Sequence, residues 1–383
     1  MNSLSNRPII IIDNKIPFIK GVLESYAEVS YVEGSKITSQ IVSNADALIV
    51  RTRTRCDESL LKNSSVKFIA TATIGTDHID TSYCDANGIF WTNAAGCNSG
   101  SVYQYIASVL AWLIREKNCN LEALTLGVVG SGHVGSKIVR LGQLLGMKVL
   151  VCDPPLQRTR GGDFVSLDYL LQNADIVTLH TPLIRQGKDR TFHLIDADKL
   201  KILKPTSWLI NSSRGEVVDG EALHMALENK LLQGAMLDVW EHEPDISFDL
   251  LDKVDLATPH IAGYSLDGKA TATTMSVQAL SRFFDLPLND WQPPVIPLPQ
   301  YTIELSMDAT DKSLTQLFAD VVWFTYAIVD DDRRLRMSVT DFEQQRGLYP
   351  VRREFHVYTI QLKHGTREQI DFLEGLGFKI ILC

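Results

Sequence analysis

The chain has 383 residues, too many for one ordinary hydrophobic core, so two or three domains are expected. Hydrophobic residues make up 45% and charged residues 22%, the balance of a water-soluble globular protein. The net charge of −9 argues against a nucleic-acid surface, which needs a basic patch, but leaves room for a local basic pocket that binds a small anion.

The first apolar run, Ile9 to Ile12, ends at Asp13 and is too short for the core of a signal peptide. The longest apolar stretch, Val102 to Ile114, is interrupted by Gln104 and Ser108 and is too short to span a bilayer. A cytoplasmic location without a membrane partner is expected. The cysteines are Cys56, Cys84, Cys97, Cys119, Cys152 and Cys383. They form no CxxC pair and no cluster with zinc spacing, so they read as thiols and no metal site is expected.

Along the first 95 residues, Pro8 to Ile12, Ala47 to Val50 and Val66 to Ala70 read as short buried strands separated by helical stretches. Gly100 to Arg115 reads as a long helix. Thr125 to Val129 is a strand, Ser136 to Leu145 a helix, and Met147 to Cys152 the next strand, together a βαβ unit. Further strands are expected at Ile176 to His180, Trp208 to Asn211, Gly234 to Asp238 and Leu256 to Thr258, with a helix at Gly220 to Glu228. A helix over Gly268 to Phe284 precedes a proline-rich linker, Pro287 to Pro299. The tail has helices at Lys312 to Tyr326 and Arg367 to Leu376, and strands at Phe355 to Gln361 and Phe378 to Leu382. Strands alternating with helices give an α/β fold whose central part is a Rossmann-type parallel sheet, followed by a small C-terminal α+β domain.

The turn Gly130-Ser131-Gly132-His133-Val134-Gly135 lies between the strand and helix of the βαβ unit, and Asp153 ends the next strand. Gly130 permits a tight turn, Gly132 lets the backbone approach a pyrophosphate, and Gly135 lets helix and strand pack closely. The helix start offers unsatisfied N–H groups to phosphates. Asp153 can accept bonds from both ribose hydroxyls and would repel a 2′-phosphate, so the cofactor expected is NAD rather than NADP.

Three residues near successive strand ends suggest the chemistry. Arg214, after Asn211-Ser212-Ser213, can grip a carboxylate in a bidentate fork. Glu243 can orient the ring of His260, and His260 can then take a hydroxyl proton while hydride leaves for nicotinamide.

These segments resemble the D-2-hydroxyacid dehydrogenases from about residue 45 to 285. The match includes Thr73-Ile74-Gly75-Thr76-Asp77-His78-Ile79-Asp80, the glycine turn, Asn211 to Gly215, Asp238 to Pro244 and Pro259-His260. The resemblance implies a flavodoxin-like substrate domain built from residues 1–95 and 263–286. The Rossmann domain at 96–262 would be inserted in it, and residues 287–383 would form a dimerisation domain. Val50-Arg51-Thr52, Ala95-Gly96-Cys97-Asn98, His260 to Tyr264, and the tail around Arg352-Arg353-Glu354 look like a member of that family acting as a homodimer on a small phosphorylated hydroxy acid. By resemblance, Arg214, Glu243 and His260 are catalytic, and Thr52, Thr73 and Tyr264 contact substrate. His133, Val134, Asp153, Thr181, Ser212, Ser213, Arg214, Asp238 and Gly263, with the three glycines, contact NAD.

The phosphate anchor is open. Arg51, Arg53 and Arg55 alternate as on one extended segment, and Arg352 or Arg353 from a partner's tail is the other candidate. Two other readings also stay open: a relative acting on a shorter phosphorylated acid, and a dinucleotide-sensing binding protein built on the same fold.

Overall fold

A computed structural model describes residues 7–382. Cys383 therefore lies outside the described residues. Chain contacts divide the molecule into two compact units, each with its own parallel sheet.

The first unit takes the chain through Asn98 and again from Ser265 to Leu298. Its strands are β1 (Ile9–Asp13), β2 (Glu28–Val32), β3 (Ala47–Val50), β4 (Phe68–Thr71) and β5 (Phe90–Asn93), in the order β2-β1-β3-β4-β5. β1, β3 and β4 are nearly all apolar and occupy the centre, where both faces are covered. β2 and β5 mix polar with apolar residues and close the edges, which is why neither stands out in the sequence. The helix Leu266–Phe284 returns to this unit and packs Phe283, tilted, and Phe284, edge-on, against Phe68 of β4.

The second unit holds Ser99 to Tyr264 and the tail from Pro299. Its main sheet comprises β6 (Thr125–Val129), β7 (Lys148–Cys152), β8 (Ile176–Leu179), β9 (Trp208–Asn211), β10 (Gly234–Leu237) and β11 (Leu256–Ala257), ordered β11-β10-β9-β8-β6-β7. After β7 the chain crosses back over β6 to reach β8. That reversal opens a crevice at the carboxyl ends of β6 and β8, the ordinary ligand position in such sheets. Helix Ser99–Lys117 is apolar on nearly every side because it is covered on nearly every side; Tyr105, Ile106, Val109, Leu110 and Leu113 are fully buried.

The tail adds β12 (Glu304–Asp308), β13 (Thr359–Lys363) and β14 (Lys379–Leu382), a parallel sheet in that order. The expected boundary lay at residue 287. In the structure residues 287–298 group with the first unit, while Leu317, Phe318 and Val321 of helix Leu314–Thr325 enter the same core as Tyr105, Leu126 and Met236. Helix Ile328–Met337 is not legible from residue order, because only Ile328, Asp331 and Leu335 of its ten residues are buried. The expected strand at Phe355 begins instead as a short 3-10 turn, Phe355–Val357, before β13. Among the described residues no helix is long and apolar enough to cross a membrane.

Candidate active site

The glycine turn leaves the end of β6. Gly130 has φ +87°, and a Cβ there would lie 2.6 Å from the His180 carbonyl oxygen. A Cβ on Gly135 would lie 1.8 Å from the Gly130 carbonyl oxygen, so helix Gly135–Leu144 starts directly against the turn. Around Gly132, by contrast, there is nothing within 4 Å. The three glycines thus do three different things: one bends, one leaves space, one allows contact. Val134 stands at the helix N-cap without capping through its side chain, and His133 beside it is exposed. The Ser136 and Lys137 N–H groups are taken by the Gly132 and Val134 carbonyls at 3.1 and 2.9 Å, so what the helix start offers an anion is its positive dipole end, with no side-chain cap in front of it.

Asp153 follows β7. Its Oδ2 accepts the Ser131 N–H at 2.8 Å and its Oδ1 the Leu156 N–H at 2.9 Å. Each carboxylate oxygen can accept more than one bond, so capacity remains for two ribose hydroxyls. The hydroxyl oxygens of Thr181 and Ser212 are buried and have no hydrogen-bond partner among the described residues. Buried polar atoms are normally satisfied, so these two suit a ligand's polar groups. The Ser213 hydroxyl is committed locally, donating to Asn211 Oδ1 at 2.7 Å. Open space over Gly132, an uncapped helix start and two unsatisfied hydroxyls fit a dinucleotide.

A cavity of about 430 Å³ is lined by Arg214, Trp240, Glu243 and His260, together with Arg185 and Phe192. Arg214 is set by the end of β9. Asn211 Nδ2 donates to the Arg214 carbonyl at 2.9 Å, and Arg214 Nη1 donates to the Ser213 carbonyl at 2.7 Å. A Cβ on Gly215 would sit 2.0 Å from the carbonyl carbon and oxygen of Trp240, so only glycine lets this strand end pass so near the one after β10.

His260 Nδ1 lies 2.7 Å from Glu243 Oε2, and Glu243 Oε1 accepts the Trp240 N–H at 2.9 Å. Burial alone would raise Glu243. The hydrogen bond and charge of His260, the Trp240 N–H and the charge of Arg346 outweigh it and hold the carboxyl below its usual range. An ionised carboxylate only accepts, so Nδ1 carries the hydrogen and the lone pair of the neutral ring sits on Nε2. This arrangement can take a proton at Nε2 and stabilise the resulting imidazolium.

Asp238, expected at the cofactor, is 1% exposed. Its Oδ1 accepts the Thr258 hydroxyl and the Ile261 N–H, each at 2.7 Å, and Oδ2 the Ala262 N–H at 2.9 Å. Its carbonyl accepts the His260 N–H at 2.7 Å. Burial raises its pKa despite those bonds. Asp238 therefore holds the turn that carries His260 and Gly263, a task its sequence position does not reveal. Tyr105 and the Trp240 indole brace Thr258 on the same turn.

The arginine candidates fare differently. Residues 51–54 form a turn rather than the expected extended segment, with the Thr54 N–H on the Arg51 carbonyl at 3.1 Å. Arg51 pairs with Asp13 and Arg55 with Asp57, while Thr52 lies exposed on the turn. Thr73 shares a 2.6 Å hydrogen bond with Thr71 at the end of β4. Arg352 is 4% exposed, and its Nη2 donates to the Ile261 carbonyl at 3.0 Å and the Ala262 carbonyl at 2.6 Å of its own chain. It is committed to backbone, not displayed as an anchor. Arg346, which no motif singled out, lies over the Tyr264 ring at 5.7 Å. Among the described residues no group of three or more His, Cys, Asp or Glu could hold a metal ion.

Comparison with known proteins agrees with this geometry. Residues 110–262 match the NAD-binding domain of D-isomer-specific 2-hydroxyacid dehydrogenases, and residues 295–377 match a domain of unknown function. The chain is 48% identical to an erythronate-4-phosphate dehydrogenase of Bacteroides fragilis, covering 92% of this chain and 98% of the relative. It is 40% identical to the protein of that name in Pseudomonas syringae pv. tomato, covering 96% and 98%. A solved D-lactate dehydrogenase from Aquifex aeolicus, complexed with NAD and lactic acid, superimposes with a TM-score of 0.62 at 28% identity, covering 72% of this chain and 95% of that one. With a dinucleotide cradle, a paired histidine and carboxylate, and relatives that match nearly end to end, the chain belongs to the erythronate-4-phosphate dehydrogenase family of NAD-dependent D-2-hydroxyacid dehydrogenases.

Proposed function

We propose that the chain oxidises 4-phospho-D-erythronate to (R)-3-hydroxy-2-oxo-4-phosphobutanoate, a step of pyridoxal 5′-phosphate biosynthesis, as a cytoplasmic homodimer whose tail makes the dimer. The observation that carries the reaction type is the Glu243–His260 pair at 2.7 Å in the cavity that Arg214 also lines. The substrate follows from the name shared by relatives 38% to 48% identical over most of the chain.

In this reading Arg214 binds the substrate carboxylate through its planar fork and polarises the oxygen on C2. His260 Nε2 takes the C2 hydroxyl proton, and the O–H electrons become the second bond of the carbonyl. NAD, when bound, accepts the hydride that leaves C2. Glu243 keeps the ring in the tautomer that presents the Nε2 lone pair, then stabilises the imidazolium. Thr52, Thr73 and Tyr264 are assigned to substrate. The glycine turn, His133, Val134, Asp153, Thr181, Ser212, Ser213, Arg214 and Gly263 are assigned to the cofactor, with Asp238 acting through the turn it holds rather than by its buried carboxylate.

The deciding experiment measures NADH formation with 4-phospho-D-erythronate, 3-phosphoglycerate and unphosphorylated erythronate. A kcat/KM highest for 4-phospho-D-erythronate is expected. A clear preference for either other acid would overturn the substrate assignment, and no turnover of any hydroxy acid despite NADH binding would favour a sensing role.

A further inference from the structure

We propose that Arg352 is a positioning residue for the catalytic turn, and that the C-terminal segment is thereby part of the catalytic apparatus rather than an appendage. This rests on the reading of His260 as the acid–base group.

The dipeptide after His260 is held from two sides. Its N–H groups, those of Ile261 and Ala262, donate to the Asp238 carboxylate at 2.7 and 2.9 Å. Its carbonyls accept from one guanidinium nitrogen, Arg352 Nη2, at 3.0 and 2.6 Å. An anion from the end of β10 and a cation from the tail therefore take both donors and both acceptors. His260 itself has φ +56°, the left-handed region that residues with a Cβ seldom occupy. A histidine held there relaxes unless its surroundings fix the turn, and relaxation would carry Nδ1 away from Glu243.

A buried guanidinium is costly unless its charge is met. Arg352 lies over the Tyr326 ring at 4.5 Å and the Tyr349 ring at 5.6 Å. Both phenols donate to Asp331 Oδ2, at 2.8 and 2.6 Å, so a buried carboxylate stands one tyrosine away. The next two residues are fastened to helix Ser99–Lys117. Gln104 Nε2 donates to the Arg353 carbonyl at 2.9 Å, and the Ser101 hydroxyl donates to Glu354 Oε1 at 3.1 Å. Gly100 leaves the room this needs, since a Cβ there would sit 2.0 Å from Glu354 Oε2. An interaction of this kind, with an ion bonded to backbone on a buried turn, sets the orientation of a catalytic ring without touching substrate.

The test compares full-length wild type with Arg352→Met and Arg352→Lys by steady-state kinetics on 4-phospho-D-erythronate, NADH titration, thermal melting and the pH profile of kcat. Arg352→Met is expected to lower kcat on the order of 10²-fold, the loss that a misplacement near 1 Å produces. KM and the NADH Kd should change far less than kcat, because neither ligand touches Arg352 and, of the residues assigned to them, only Gly263 and Tyr264 share its turn. The pH profile of kcat should differ from wild type, since a displaced ring no longer meets the Glu243 carboxylate. Arg352→Lys should fall between, because an ammonium can still donate to the carbonyls but loses the flat guanidinium's contact with the Tyr326 and Tyr349 rings. The proposal is overturned if kcat and its pH profile in both variants match wild type. It is also overturned if kcat, NADH affinity and melting temperature collapse together in both, the signature of general unfolding. Should Arg352→Met fail to fold, Arg352→Lys decides by the same criteria. His260→Ala is run alongside: an active His260→Ala sinks the reading of the base itself, whereas an inactive one with unaffected Arg352 variants sinks only this inference.

Discussion

Glu243 grips His260 with one carboxylate oxygen, at 2.7 Å, and the Trp240 N–H with the other, at 2.9 Å, so the partner of the ring is itself anchored to backbone. This double attachment makes the ring orientation a property of the fold rather than of two mobile side chains, and its loss should be visible in rate and in stability.

His260→Ala should lower kcat by roughly 10²–10⁴-fold, the usual worth of a positioned general base. NADH affinity should be kept, because the glycine turn and Asp153 are untouched. Stopped-flow hydride transfer with an NADH titration would check both; a variant retaining near-wild-type kcat would remove His260 from the mechanism.

Glu243→Gln should lower kcat, because an amide that both donates and accepts no longer fixes which ring nitrogen of His260 carries the hydrogen. Stability gives a second readout. The folded-state pKa of Glu243 lies below its unfolded value, so its stabilisation is complete at neutral pH and is lost as pH falls through the lowered value. The difference in melting temperature between wild type and Glu243→Gln should therefore hold from neutral pH down to about pH 4.5 and shrink as pH falls further. A difference that grows on acidification would contradict this sign.

Two glycine substitutions in one turn should separate folding from binding. Gly135→Ala places a methyl 1.8 Å from a carbonyl oxygen, so the turn must shift. A stability loss of about 1–3 kcal/mol is expected, with weaker NAD binding. Gly132→Ala meets nothing within 4 Å and should melt like wild type, yet bind NAD less well because its methyl occupies the approach of the pyrophosphate. Equal melting temperatures for the two variants would be inconsistent with the packing described.

Asp153→Ser should keep the helix cap, since a serine hydroxyl can also accept the Leu156 N–H. It removes the negative charge that disfavours a 2′-phosphate. The ratio of kcat/KM for NAD over NADP should fall, by about tenfold for each 1.4 kcal/mol of repulsion removed. An unchanged ratio would show that specificity is set elsewhere.

The central strands, the glycine turn and the catalytic candidates are legible from residue order alone. The reason is local: a strand covered on both faces must be apolar over four or five residues, as in β1, β3 and β6, and a dinucleotide turn needs glycines at set offsets. Edge strands β2 and β5 and the charged helix Ile328–Met337 escape because a half-covered element needs no such run. What Asp238 and Arg352 do emerges only from packing. One is a carboxylate just past the end of β10, the other an arginine 91 positions from the Ile261 carbonyl it bonds, and no spacing rule joins them. Their shared role exists because two distant segments pack against one dipeptide whose buried N–H and C=O groups had to be satisfied.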